Sequence, residues 1–384
     1  MRRPCRRPRP RRRHRVAARH ADLDRRGPAR GADGRVRAIQ WRWSWGRRVY
    51  PRAVPRPEEL RFRAGEVTLA GELLLPDAAP PGPAGRYPNV LLLGSWLARD
   101  RDGRLDADRH PAWFAPRARG QDGVPLLARV AAALAELGVA SLRFDKRGCG
   151  SSGGSWQESD LFTLIDDARD ALAALRGRRD LDPARTGIVG HGEGAGIAMS
   201  VAIGDPVVGP LGLIGASARS YRDVFRRGVA ERSAAARRPA ALARPRIADP
   251  LVAAIDAWSE EIVERADRRE PAMDLRLPGA PPLRLALAGW EQAFHTPPRA
   301  LATMLNRPVT LVHGRYDDIS HPDESALLAA VLADREPLPV RLPSAGHDLA
   351  EADRSTIDDF AAEIASRLVP RSLPPVLLAI SEMG

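Results

Sequence analysis

The chain has 384 residues, 44% of them hydrophobic, enough to bury a substantial core in one large domain or two smaller ones. No stretch approaches the roughly 18 consecutive apolar residues of a membrane span. The start lacks the apolar run of a signal peptide, so the expected location is the cytoplasm. The net charge of +12 sits in front: residues 1–56 hold 20 arginines against Asp22, Asp24 and Asp33, a net of +17 that leaves −5 for the remainder.

A mildly acidic remainder argues against nucleic acid as the partner of the folded part, although a run such as Arg11-Arg12-Arg13 is able to attract polyanions. Lys146 is the one lysine among 60 basic residues, a bias typical of a GC-rich coding sequence, and residues 1–56 are expected to form a disordered or mis-started leader. Local packing is expected within it only around Trp41–Trp45. Cys5 and Cys149 are the two cysteines, without CxxC or Cys/His spacing, so neither a disulfide scaffold nor a metal site is expected.

The pattern changes after residue 57. Leu60-Arg61-Phe62-Arg63 alternates, Gly65 marks a turn, and Val67 to Pro76 reads as a second strand, giving an opening hairpin. Asn89 to Leu93 is a continuous apolar run suited to a strand buried on both faces. Leu126, Leu127, Val130, Ala131, Leu134 and Leu137 keep helical spacing over about 122–138, and Val139 to Phe144 follows as a strand. A helix at about 157–177, an Asp182-Pro183 turn, strand Thr186–Val189, a helix from Ala195 and strand Leu211–Gly215 continue the alternation.

Between about 218 and 305 that alternation breaks down. Helical stretches at Val252–Val263 and Trp290–Leu305, separated by Pro-rich interruptions, read as a helical lid inserted into the sheet. Strand Val309–Val312, helix 322–334, strand 338–342 and an amphipathic helix from Ser355 to Leu368 complete the series. Sustained strand–helix alternation predicts an α/β fold with a mostly parallel, doubly wound sheet and functional loops at the carboxyl ends of its strands. The core is expected at 57–217 and 306–370, the lid at 218–305 and a tail at 371–384.

Four stretches in this core carry the chemistry. Leu93-Gly94-Ser95-Trp96 precedes Asp100-Arg101-Asp102-Gly103, and Phe144-Asp145-Lys146-Arg147-Gly148 runs into a glycine-serine loop ending at Gly154. Gly190-His191-Gly192-Glu193-Gly194 lies between a buried strand and an apolar helix, and Gly314-Arg315-Tyr316-Asp317 and Gly346-His347-Asp348 follow the last two strands. Their order resembles the α/β-hydrolase superfamily, in its bacterial esterase and serine-aminopeptidase-like, dienelactone-hydrolase-related branch, over about residues 58–370. That branch usually reads HGSGPxDRDG at the first stretch, where Leu93 replaces the histidine, and DKRGxGxSGG at the second.

The third stretch occupies the place of the GxSxG elbow, a strained turn that lifts a serine hydroxyl out of the sheet. Here the central position is Gly192, which has no hydroxyl. The resemblance implies His347 as base, Asp317 as the acid that holds its tautomer, the amides of Ser95 and Glu193 as receivers of the oxyanion, and Trp96 in the substrate site. Loss of a nucleophile from such a triad costs on the order of 10⁶ in kcat.

Three readings stay open: a degenerate hydrolase that binds a small acyl or ester-like ligand; a dyad of His347 and Asp317 that activates water or serves a lyase or isomerase reaction; and a substitute nucleophile, or a one-base change from serine at 192.

Other residues weigh less. Ser200 reads as packed in its helix, Cys149 as loop filler, and Ser95 as a contributor through its backbone. His191 and His313 read as core histidines, Asp145 and Arg147 as a salt-bridged corner, Asp100 and Arg101 likewise, and Asp318 and His321 as neighbours of the acid loop without a role. Trp258 and Trp290 belong to the lid, whose helical spacing favours core packing. The glycine run 148–154 lacks the GxxxxGK[ST] order of a phosphate loop, so no cofactor is implied.

Overall fold

A computed structural model describes residues 55–369 apart from 81–84, 106–123, 225, 229, 231–248, 277–281, 289, 296 and 334–337. The expected leader, its Trp41–Trp45 segment and the tail at 371–384 lie outside the described residues, although Arg56, the last residue assigned to the leader, already belongs to the first strand.

Strands β1 (Arg56–Ala64) and β2 (Val67–Leu75) form the opening hairpin. Strand β3 (Tyr87–Leu93), helix α1 (Leu126–Glu136), strand β4 (Ala140–Phe144), helix α2 (Leu161–Arg176), strand β5 (Leu181–His191), helix α3 (Glu193–Gly204) and strand β6 (Val208–Ile214) then alternate. After the insertion come β9 (Val309–Val312), α7 (Asp323–Leu332), β10 (Val340–Arg341) and α8 (Arg354–Leu368).

The eight strands are ordered β1-β2-β4-β3-β5-β6-β9-β10, parallel from β4 to β10 and antiparallel at the hairpin edge. Strand periodicity explains how helices cover both faces. Along β3, Val90 and Leu92 point into a layer with α1 and α8, while Leu91 and Leu93 point into a layer with α2 and α3. The chain leaves β3 for β4 on one side and returns to β5 on the other. That reversal opens a crevice at the carboxyl ends of β3 and β5, where an open α/β sheet places ligands.

Three sequence expectations are corrected. The expected turn at Asp182-Pro183 lies inside β5, as an irregular stretch between the pairings Tyr87↔Leu181 and Asn89↔Thr186. Its turn chemistry persists, since the Asp182 carboxylate accepts from the Ala184 N–H and from Arg185. The stretch Trp290–Leu305 is not one helix but two, α5 (Trp290–His295) and α6 (Pro298–Ala302), because Pro297-Pro298 cannot continue the backbone hydrogen-bond ladder. Strand 338–342 shortens to two residues.

The insertion is also not purely helical. Helix α4 (Asp249–Asp267) is followed by an antiparallel pair, β7 (Ala272–Leu275) and β8 (Leu283–Ala286). Four-residue strands carry too few alternations to stand out beside Pro-rich sequence. Met273 and Leu275 nonetheless alternate inward, joining Trp258, Ile262 and Leu285 in a separate apolar cluster. The insertion begins on the core where the buried carboxylate of Glu324 on α7 accepts from the backbone N–H groups of Ala218 and Arg219.

Candidate active site

Five loops at the carboxyl edge of the sheet converge. Ser95 and Trp96 follow β3, Gly192 links β5 to α3, Gly215 follows β6, Asp317 follows β9 and His347 follows β10. Gly192 adopts φ 55°, ψ −115°, a sharp left-handed turn that stops the strand and starts the helix. Gly194 is required next to it: a Cβ there would lie 2.6 Å from the carbonyl oxygens of Leu93 and Gly94. That close approach sets the loop after β3 against the first turn of α3.

Asp317 and His347 are both buried, at 4% exposure each. The Nδ1–H of His347 donates to Asp317 Oδ2 at 2.7 Å, and Asp317 Oδ1 accepts from the N–H groups of Ile319 and Ser320 at 2.8 and 2.9 Å. Burial alone pushes the Asp317 carboxyl up, but the facing imidazoles of His347 and His313 outweigh it and hold the acid well below the ordinary carboxylate range. The same contest acts on His347. Burial lowers it, the Asp317 anion raises it, and the net shift is upward from the ordinary histidine value. With Nδ1 committed to the acid, Nε2 carries the basic lone pair.

That lone pair has a partner. Ser95 Oγ stands 3.2 Å from His347 Nε2, and a Cβ built on Gly192 would lie 2.2 Å from the same Oγ. The serine hydroxyl thus fills the space in front of the elbow. Glu193 is the first residue of α3, so its N–H has no acceptor within the helix. Lys146 ties the two sides together, donating to the Ser95 carbonyl at 3.2 Å and pairing with the Glu193 carboxylate at 3.0 Å. A cleft beside this cluster is lined by Trp96, Lys146, Trp156, Glu193, Leu285 and Trp290, with Trp96 and Trp290 edge to face at 5.7 Å.

Three contacts escaped the sequence reading. His313 donates from Nε2 to the Ser320 carbonyl at 2.6 Å and lies 3.1 Å from Asp317 Oδ2, so a second histidine steadies the acid. Its i,i+4 spacing from Asp317 was the available signal. Arg99 pairs with Asp348 at 3.1 Å, joining the loop that carries Ser95 to the residue after His347. Nothing in local sequence marks two residues 249 apart as partners. The third is the Ser95 hydroxyl itself.

His191 lies beneath His347, ring centroids 4.5 Å apart, and donates from Nε2 to the His347 carbonyl at 3.1 Å. Burial, assisted by the neighbouring His347, pushes its pKa down to about 3, so it is neutral at physiological pH. His191, His347 and Asp348 are the group among the described residues whose ligand atoms approach one another closely enough to suggest a metal. Within this group His191 Nε2 donates to the His347 carbonyl, His347 Nδ1 donates to Asp317, and the Asp348 carboxylate accepts from Arg99.

The remaining candidates fall elsewhere. Asp145 is bound by Arg101, Arg147 by Asp167, and Cys149 is buried with Sγ 3.7 Å from the Arg147 carbonyl. Arg101 also pairs with Glu59, and the Asp100 carboxylate accepts from the N–H groups of Asp102 and Arg104. The Ser200 hydroxyl donates to the Gly196 carbonyl within α3, and His321 pairs with Asp323. Trp258 is buried in the insertion's cluster, against which Trp156 and Trp290 pack.

Comparison with known proteins agrees with this architecture. An uncharacterized protein of Mycobacterium tuberculosis is 34% identical over a 113-residue alignment that covers 26% of this chain and 39% of that protein. The chain thus spans about two fifths of the length of the curated relatives it matches. The esterase domain of a Rhodothermus marinus protein superposes with a TM-score of 0.50 at 18% identity, over 82% of this chain and 99% of that one. An esterase of Pyrococcus furiosus gives 0.52 at 13% identity, over 82% and 92%. At such identities the likeness speaks for the fold. The family model described as serine aminopeptidase, S33, matches residues 121–353, more than half of the chain, and the protein belongs to that α/β-hydrolase family.

Proposed function

We propose that this protein hydrolyses a small carboxylic-ester-like substrate, with His347 as general base and Asp317 as the group that orients it. The observation that carries the reading is the buried 2.7 Å bond from His347 Nδ1 to Asp317, which commits one ring nitrogen and leaves the other to take a proton. An amide at the positive end of α3 stands ready for developing negative charge, and the cleft beside it sets Trp96, Trp156 and Trp290, surfaces suited to an acyl chain or ring, among the polar groups of Lys146 and Glu193. The solved structures of similar fold include named esterases. The reading takes the ligand to be a small acyl or ester-like molecule, met in the cytoplasm and handled without a cofactor, a membrane or a nucleic acid.

A second reading rests on Gly192, which offers no hydroxyl at the elbow: the protein binds such a ligand without converting it. Turnover of p-nitrophenyl acetate by purified wild type and His347→Ala separates the two. The catalytic reading expects a fall of at least about 10³-fold in kcat with folding intact. Equal background rates in both proteins would sink it and leave the binding reading.

A further inference from the structure

We propose that the nucleophile of this site is the hydroxyl of Ser95, presented from the loop after β3 instead of from the elbow after β5. The inference rests on the proposed base role of His347. Three features of the structure support it.

The first is direction. Because Asp317 accepts the Nδ1 proton, Nε2 of His347 is an acceptor, and the 3.2 Å contact with Ser95 is an O–H donated to the base. The second is space. Any side chain at position 192 would place its Cβ 2.2 Å from Ser95 Oγ and 3.0 Å from His347 Nε2, so glycine there is what admits the Ser95 hydroxyl to the base. The third is restraint. Lys146 holds the Ser95 carbonyl, Arg99 donates from Nε to the Trp96 carbonyl at 3.1 Å, and the same Arg99 pairs with Asp348 beside His347. Serine and histidine are thereby locked in mutual register, which is the pre-organisation a nucleophile and its base need.

In the acylation step Ser95 Oγ forms a bond to the substrate carbonyl carbon while its proton passes to His347 Nε2. The carbonyl electron pair moves onto oxygen, facing the Glu193 N–H. Collapse breaks the bond to the leaving oxygen, which departs as an alcohol with the proton from His347. Water, giving its proton to the same nitrogen, then attacks the Ser95 ester; collapse breaks the bond to Ser95 Oγ, which takes that proton back from His347 Nε2 as the acid is released. No other reactant is required.

Because Ser95 is nearly buried, the test uses small reagents, p-nitrophenyl acetate and a short alkyl fluorophosphonate. Wild type is expected to turn over the ester and to carry the phosphonyl group on the tryptic peptide Tyr87–Arg99, at Ser95. Ser95→Ala should lose the label and fall to the rate of His347→Ala. Gly192→Ser in the Ser95→Ala background should restore turnover and move the label to position 192, which also shows that the Ser95→Ala protein is folded. A label on another residue, or wild-type turnover by Ser95→Ala, overturns the proposal. If Ser95→Ala stays active while His347→Ala does not, the base role stands and the nucleophile is water. If wild type neither labels nor turns over, both readings fall.

Discussion

The two loops that face each other across the site differ in what they offer His347. The elbow after β5 supplies backbone geometry: a left-handed turn at Gly192, an open N–H at Glu193, and no side chain. The loop after β3 supplies a hydroxyl, held at its carbonyl by Lys146 and one residue further by Arg99. The contrast teaches that scaffold and reactive group of a hydrolytic site are separable. A strand–helix turn keeps its shape through glycines and a helix terminus, whereas the hydroxyl needs only to reach a fixed nitrogen.

The largest expected effect comes from the group both loops share. Asp317→Asn should lower kcat by about 10⁴, because a neutral amide no longer enforces the tautomer with a basic Nε2. The pH profile sharpens the same point. His347 must be neutral to accept a proton, and its pKa is raised by the Asp317 anion, so activity should fall as pH drops through a midpoint above the ordinary histidine value of about 6.5. Asp317→Asn removes the anion, so any residual activity should have a lower midpoint. A midpoint unmoved by the substitution would show that another group is titrating.

A smaller effect tests whether the loops depend on each other for position. Gly194→Ala would drive a methyl against the carbonyls of Leu93 and Gly94, pushing the two loops apart. The expected cost is about 1–3 kcal/mol in urea unfolding, with roughly 10²-fold lost in kcat from the displaced geometry. Full activity together with lost stability would mean that the loops tolerate separation.

The smallest effect concerns the tether. Lys146→Met keeps the alkyl stem but loses the bond to the Ser95 carbonyl and the pair with Glu193. A charged hydrogen bond contributes about 1.5 kcal/mol or more, so roughly a tenfold fall in kcat with little change in KM is expected. A rise in KM with kcat unchanged would instead place Lys146 in ground-state binding.

Much of this was readable from sequence, for identifiable reasons. Continuous apolar runs such as Asn89–Leu93 announce doubly buried strands because both faces of β3 meet helices. Gly190 to Gly194 sits where a strand must turn at once into a helix, and Asp317 and His347 follow their strands at the spacing the family pattern implies. The hidden part depends on side-chain direction and on distance along the chain. Sequence does not encode the rotamer of Ser95, and it is the open space at Gly192 that admits its hydroxyl to His347. The Arg99–Asp348 pair, 249 residues apart in the chain, belongs to tertiary structure alone. In the insertion, the hairpin β7–β8 was masked by brevity and by flanking prolines.

The separate apolar cluster around Trp258 carries a consequence for how such a protein changes over generations. Trp156 and Trp290 pack on that cluster and also line the cleft, while the base and its acid stand on loops of the central sheet. Selection can therefore act on ligand preference by remodelling the insertion, with its own core absorbing the mutations, and leave the proton-handling residues untouched.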